Sequence, residues 1–173
     1  MHAIAIIFLS IFASVIYGIL HDQVTARICV EYFTVGHPPV FNTVDPTLLA
    51  LGWGVIATWW VGLILGIPLA LVARVGSHRK YAARELARPL AITLIVVGFI
   101  AMLAGVVGHF AATRGFVRLY GPLAEELPLE THIPFITDIW IHLASYIEGF
   151  IGGVVLCVRV VIWRSRAAAI HKL

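Results

Sequence analysis

The sequence predicts an all-α, integral membrane four-helix bundle whose long first helix extends beyond the membrane. Three observations predict it. The 173 residues are 61% hydrophobic and only 12% charged, with a mean hydropathy of +0.98, whereas a soluble domain is roughly half apolar and a quarter charged. The apolar residues gather in four runs, at about 2–20, 48–73, 89–112 and 138–163, each long enough for roughly 30 Å of helix. Lys and Arg gather in the segments between and after these runs. So little charge cannot cover a water-facing surface, so the solvent for most of the chain is lipid. The four spans are expected to form one domain, 1–173.

The first run, His2 to Leu20, lacks a basic leading region and a clean small-residue cleavage pattern, so it reads as a retained helix and not a signal peptide. At ~100° per residue, Ser10, Ser14, Tyr17, Gly18, Thr25, Cys29 and Tyr32 fall within about 80° of His21. That small-and-polar stripe has no phase break, and no Pro or Gly interrupts residues 19–35. One helix is therefore expected to run on to about Val35. Gly36-His37-Pro38-Pro39 stops it, because Pro cannot continue a helix and restricts its predecessor.

Pro46 marks the start of the second span, which carries Trp53, Trp59, Trp60 and Gly62-xxx-Gly66. That glycine spacing lets helices approach closely in lipid, and Pro68 is expected to kink the helix. Pro89 to Ala112 is the third span. The loop 114–138 is mixed in charge, and Thr137 or Asp138 is expected to cap the fourth helix. No internal repeat or low-complexity segment is evident.

Residues 74–88 hold Arg74, Arg79, Lys80, Arg84 and Arg88 against Glu85. Arg159, Arg164, Arg166 and Lys172 close the chain. Short cytoplasmic loops carry the basic excess, so both termini are expected in the cytoplasm, and 21–47 and 113–137 outside. A bacterial inner membrane fits this pattern. The net charge of +3 is spent at membrane flanks and implies no nucleic-acid partner. The implied partner is the bilayer, with a homo-oligomer or a larger membrane complex left open. Cys29 and Cys157 match no metal pattern and are expected on opposite sides, which argues against a disulfide.

The outer half collects the chemistry. His21, Asp22, Glu31, His109, His142 and Glu148 are candidate metal ligands. Histidines and carboxylates projecting inward in a helical bundle suit iron, zinc or copper, in a redox or hydrolytic enzyme. No Glu-x-x-His or His-Glu-x-x-His spacing accompanies them. On the fourth helix, Ser145, Gly152, Glu148 and Arg159 fall within about 80° of Asp138 on one side, and His142 lies about 40° on the other. Glu148 lies about 15 Å along the helix beyond Asp138, and intramembrane carboxylates normally mark function.

Other readings compete. His109 and His142, at similar depth on adjacent spans, could be axial ligands of a haem. A bland reading makes the chain a non-enzymatic scaffold or subunit, with Glu148 hydrogen-bonded or neutral, His109 and His142 bridging helices, and Arg27–Glu31 an ordinary i,i+4 pair. Glu148 near Arg159 could relay protons. Cys29, on one stripe with His21 and Thr25, is a remote candidate nucleophile. His37 and His132 read as solvated loop residues. His2, His78 and His171 fall on the basic side, away from any ligand set. Trp59-Trp60 reads as packing against lipid or helices. No nucleophile elbow or phosphate-binding glycine loop is present.

His21-Asp22-Gln23 with Thr25, Glu31-Tyr32-Phe33-Thr34 and Ala57-Thr58-Trp59-Trp60-Val61-Gly62 resemble a pattern in uncharacterised four-span bacterial membrane proteins. The resemblance covers the first helix, its extension and the second span. It implies that these parts form a unit, and it carries no activity and no catalytic residue.

Overall fold

The computed structural model describes residues 2–170, and side chains to 166. His171 and Lys172 lie outside the described residues. The helices are α1 (His2–Ile28), α2 (Val30–Thr34), α3 (Pro46–Ile56), α4 (Trp59–Arg74), α5 (Ala83–Thr113), α6 (Pro122–Glu126) and α7 (His132–Ile170), with a 3-10 turn at Leu129–Thr131. No strand occurs among the described residues. Four helical segments are long and apolar enough to cross a membrane: His2–Ile28, Pro46–Arg74, Ala83–Thr113 and Leu129–Arg166.

The bundle is apolar on its outside. Ile4, Phe8, Phe12, Ile16, Leu20, Val24 and Ile28 recur every fourth residue along α1, and all are exposed. The opposite stripe, with Ser10, Gly18, His21, Asp22 and Thr25, is buried. α5 and α7 expose similar ridges, including Ile95, Phe99, Phe110, Phe150 and Val154. Polar inside and apolar outside is the arrangement that lipid favours.

α1 packs chiefly on α3 and α4, and α5 packs chiefly on α7. Small residues allow the first contact. A Cβ at Gly54 would lie 2.6 Å from Ile19 Cα, and one at Gly62 would lie 2.6 Å from Ile11 Cα. Gly66 faces Ser10 in the same way, at 2.8 Å from its Cβ, so Gly62-xxx-Gly66 is a seat for α1, as its spacing implies.

Three local expectations are corrected. First, the helix does not continue unbroken to Val35. It runs through Leu20 without reversal but stops at Ile28, and Cys29 is extended at φ −150°, ψ 101°. Cys29 packs with Leu127 and Phe135, and Phe33 packs with Ala26, Leu49 and Trp53. Those burials need a change of direction that a straight helix cannot supply, so tertiary packing overrides a helical stripe. The exposed ridge on α1 continues to Ile28, so α1 reaches about 40 Å, still longer than a ~30 Å hydrocarbon core. Second, Thr137 and Asp138 cap nothing. α7 begins at His132, and Pro134 falls in its first turn, where its missing N–H is tolerated. Third, the second span is interrupted at Ala57-Thr58, between α3 and α4. Thr58 donates its hydroxyl to the Gly54 carbonyl there. Pro68 lies inside α4. The start at Pro46 holds, with Asp45 Oδ1 accepting from the Leu48 amide at 2.9 Å.

Candidate metal centre

α1 and α7 face each other across His21, Asp22 and His142. Each offers one ligand atom, and these atoms lie within 4.8 Å of one another. All three side chains are buried. His21 Nδ1 lies 3.0 Å from Asp22 Oδ1, and His142 Nε2 lies 3.5 Å from the same oxygen. The two imidazoles meet edge to face, with centroids 4.7 Å apart.

The His142 tautomer follows from its other nitrogen. Nδ1 is 2.9 Å from the Asp138 carbonyl. A carbonyl only accepts, so Nδ1 carries a hydrogen. In the neutral ring Nε2 is then a lone pair facing a carboxylate oxygen. Two such atoms face each other stably only with a proton or a metal ion between them. A second nitrogen held by a backbone carbonyl is also how metal-binding histidines are usually oriented.

Two further observations sharpen the electrostatics. Asp138 is wholly buried, and neither of its carboxyl oxygens has a hydrogen-bond partner. His21 Nε2 is likewise buried without one. Such groups are costly unless neutralised or charge-paired. Two acids, Asp22 and Asp138, thus stand in a dry region where the described cations are elsewhere.

α2 covers the centre. The Tyr32 ring stacks on His142 at 4.3 Å, and Phe33 meets it edge-on at 5.7 Å. The break at Cys29 is what turns these rings inward. His37 donates from Nδ1 to the Tyr32 carbonyl at 2.7 Å, and its ring lies 4.6 Å from Trp53. On the floor, Tyr17 and Ser145 share a 2.8 Å hydrogen bond. A cavity of about 100 Å³ lies among Tyr17, His21, Asp22, Tyr32, His37 and His142.

Of the six predicted ligands, the fold brings three together: His21, Asp22 and His142. Glu31 lies beyond the break and accepts from the Cys29 thiol at 3.4 Å. His109 is exposed and donates from Nδ1 to the Thr137 hydroxyl at 3.3 Å, because that hydroxyl already donates to Ile133. Glu148 is half-buried and outside the cluster. The haem arrangement is not supported. His109 lies outside the cluster that contains His142, whose ring is flanked by Tyr32, His21 and Phe33 and whose Nε2 meets Asp22.

Arg27 does not pair with Glu31. The break at Cys29 ends the i,i+4 register, and Arg27 bonds Gln23 and Thr47 instead. Arg159 lies over the Trp163 ring at 4.9 Å, and no Glu148–Arg159 ion pair occurs among the described residues. Cys29 is buried and unpaired, and burial pushes its thiol up to about 12. A thiol that stays protonated at neutral pH is a poor nucleophile. Cys157 is also free. His132 Nε2 donates to the Leu127 carbonyl at 3.1 Å. Trp59 and Trp60 are exposed at the bundle surface.

Sequence reasoning placed Asp138 on the right helix face but read it first as a cap, and it placed His37 in solvent. Half-burial of His37 against Phe33 and Trp53 depends on the turn at Cys29, for which the sequence carries no local signal. Comparison with family models, with curated proteins and with solved structures finds no match.

Proposed function

We propose that the chain is an integral membrane protein that holds one metal ion between α1 and α7, with His21, Asp22 and His142 as its protein ligands. The observation that carries this is the convergence of three buried ligand atoms within 4.8 Å, with His142 Nε2 left as a lone pair by the Nδ1 bond to Asp138. Two imidazoles and a carboxylate suit iron or zinc, and three protein ligands leave positions for water or a substrate. A metal there would supply Lewis-acid or redox chemistry. The chain's own groups supply the rest. Asp138 is a second buried acid that a nearby cation would help to ionise, Tyr32 and Phe33 exclude water, and the Tyr17–Ser145 pair closes the inner side.

The basic segments 74–88 and 159–172 favour cytoplasmic termini, which puts the centre in the outer half of the bilayer. A cysteine at Ser77, in a background without Cys29 and Cys157, should resist an impermeant thiol reagent in intact cells, and one at Leu123 should react. The reverse pattern would invert the topology.

The experiment for the metal is elemental analysis of protein purified without a His-tag or chelator. About one ion per chain is expected in the wild type, with most of it lost in Asp22→Asn and His142→Ala. A second reading draws on the 3.0 Å His21–Asp22 contact, which can stand without a metal. His142 would then be an imidazolium clamped by Asp22, and the protein a scaffold or subunit. Wild-type protein without stoichiometric metal would leave only that reading.

A further inference from the structure

A groove of about 530 Å³ opens between α1 and α5. It runs from Leu9 to Val24 on α1 and from Ala87 to Met102 on α5. At the helical rise this is about 22 Å of length. Ala13, Ala87, Ala91 and Gly98 leave the space. Phe12, Leu20, Val24 and Ile95 on its walls are exposed, so the groove opens onto the apolar outer face of the bundle. No Asp, Glu, Lys or Arg lines it. Its walls alone would take any lipid chain, so selection falls to what stands at its end.

That end is the start of α5, where Arg84 and Arg88 are both exposed. At ~100° per residue they fall about 20° and 60° from Ala91, on the groove face. Arg84 lies about 4.5 Å before Ala87 along the axis. Two arginines at i,i+4 repel each other, and the N-terminal end of a helix carries partial positive charge that disfavours cations. The nearest acid in sequence, Glu85, points ~120° from Ala91 on the wheel. It already accepts from Arg79 at 2.6 Å and from the Ala82 amide at 2.9 Å. Arg74 donates to the Tyr81 carbonyl, Arg159 lies over Trp163, and backbone carbonyls hold Arg164. Arg84 and Arg88 make no hydrogen bond, ion pair or aromatic contact among the described residues. The chain therefore leaves the positive charge at this corner unanswered.

We propose that the groove seats one acyl chain of an anionic phospholipid, whose phosphate-bearing head is held by Arg84 and Arg88. The lipid comes from the leaflet in which α5 begins. Its negative head relieves the repulsion between the two arginines and meets the positive end of α5. Guanidinium groups bind phosphate oxygens through paired hydrogen bonds. A zwitterionic phospholipid offers the same chain and phosphate, but its ammonium meets the same two arginines. The volume lies within the roughly 300–1,000 Å³ of small-molecule sites. The groove is longer than half of a ~30 Å hydrocarbon core, so a chain entering at the rim stays within it to its end. The head site lies at the opposite end of the groove from His21 and does not depend on the metal centre.

The test uses the full chain in phosphatidylcholine nanodiscs that hold a trace of one photoactivatable probe. The two probes are a phosphatidylglycerol and a phosphatidylcholine with identical acyl chains, each with a mid-chain diazirine. Labelling of residues 9–24 and 87–102 is read against 147–158 of α7, whose outward ridge also leads to basic residues, Arg159 and Arg166. The groove-to-α7 ratio should be about fivefold higher for the anionic probe, the scale of one basic residue near an anionic head. That excess should shrink as salt is raised. Arg84→Gln with Arg88→Gln, both at exposed positions, should bring the ratio down to the phosphatidylcholine value. Arg166→Gln, exposed on α7, should leave it unchanged. Ala91→Trp, at an exposed groove position, should lower groove labelling by both probes. Equal ratios for the two probes would mean only bulk lipid and would overturn the proposal. An anionic excess that survives the double substitution would overturn the head site at Arg84 and Arg88. An excess lost as fully in Arg166→Gln would mean only diffuse basic charge, which overturns it as well.

Discussion

Arg164 near the end of α7 and Asp138 near its start are both buried, and their surroundings are opposite. Arg164 donates to four backbone carbonyls: Arg79 at 2.7 Å, Val75 at 2.8 Å, His78 at 3.2 Å and Val72. Those carbonyls belong to the last turn of α4 and the loop after it, where helical acceptors run out of partners and a cation is favoured. The guanidinium fork suits several acceptors at once. Asp138 has no partner on either oxygen, and its backbone carbonyl holds His142, a member of the cluster with Asp22 and His21. One end solvates its charge with backbone, which is how a fold anchors a loop. The other leaves acids and lone pairs facing one another, which is how a fold prepares a place for a cation. Burial of charge alone does not separate structure from function, but the completeness of its partners does.

The comparison breaks first at the anchored end. Arg164→Met keeps a long apolar stem and strands four carbonyls, some of which regain water. The expected cost is at least about 3 kcal/mol, since each hydrogen bond to a charged group is worth roughly 1.5–3. It should appear as a lower melting temperature in detergent with metal content per folded chain unchanged. An unchanged melting temperature would show that the anchor contributes nothing net.

Next comes Asp138→Asn at the unsatisfied end. In chelator-treated protein the variant should melt within about 1 kcal/mol of wild type, because a wholly buried, unpartnered carboxyl is held neutral and the amide replaces one unpartnered polar group by another. With metal restored wild type should become the more stable, since a cation then favours the ionised acid but not the amide. A variant less stable than wild type without metal would mean that Asp138 has a hydrogen-bonding role.

How much of this was legible in the sequence differs between the two ends. The four spans, the helix start at Pro46 and the glycine seat at Gly62 and Gly66 follow from length, hydropathy and spacing, all local properties. His21, Asp22 and His142 were legible as polar residues on inward faces, but their convergence was not, because it depends on how α1 meets α7. The break at Cys29 left no mark in the stripe from Ser10 to Tyr32. It is imposed by the burial of Cys29 against Phe135 and of Phe33 against Trp53, contacts distant in sequence. With it went Glu31 and the Arg27 pair. Arg164 read as one basic residue among several that flank a membrane. Its acceptors lie more than 80 residues earlier, and nothing local distinguishes it from Arg166.

The smallest expected effect concerns Glu148, and it marks the edge of the unsatisfied end. On a helical wheel Glu148 stands ~80° to one side of Asp138 and His142 ~40° to the other, so the two are ~120° apart. A polar face drawn broadly enough to contain both is a third of the helix wide. Only the His142 side of it meets α1 at Asp22. Glu148 also lies six residues further along, about 9 Å along the axis. It is half-buried and makes no side-chain hydrogen bond or ion pair among the described residues, whereas Gly149 next to it borders the inner cavity. Glu148→Gln replaces a carboxyl by an amide of nearly the same shape and removes no contact, so stability should move by less than about 0.5 kcal/mol. Metal per chain should stay at the wild-type value while Asp22→Asn loses it. Elemental analysis of the two variants side by side decides the matter. Loss of metal in Glu148→Gln would place the site about two turns deeper, on the other side of α7, and His21 and Asp22 would then be only the hydrogen-bonded lock of the scaffold reading.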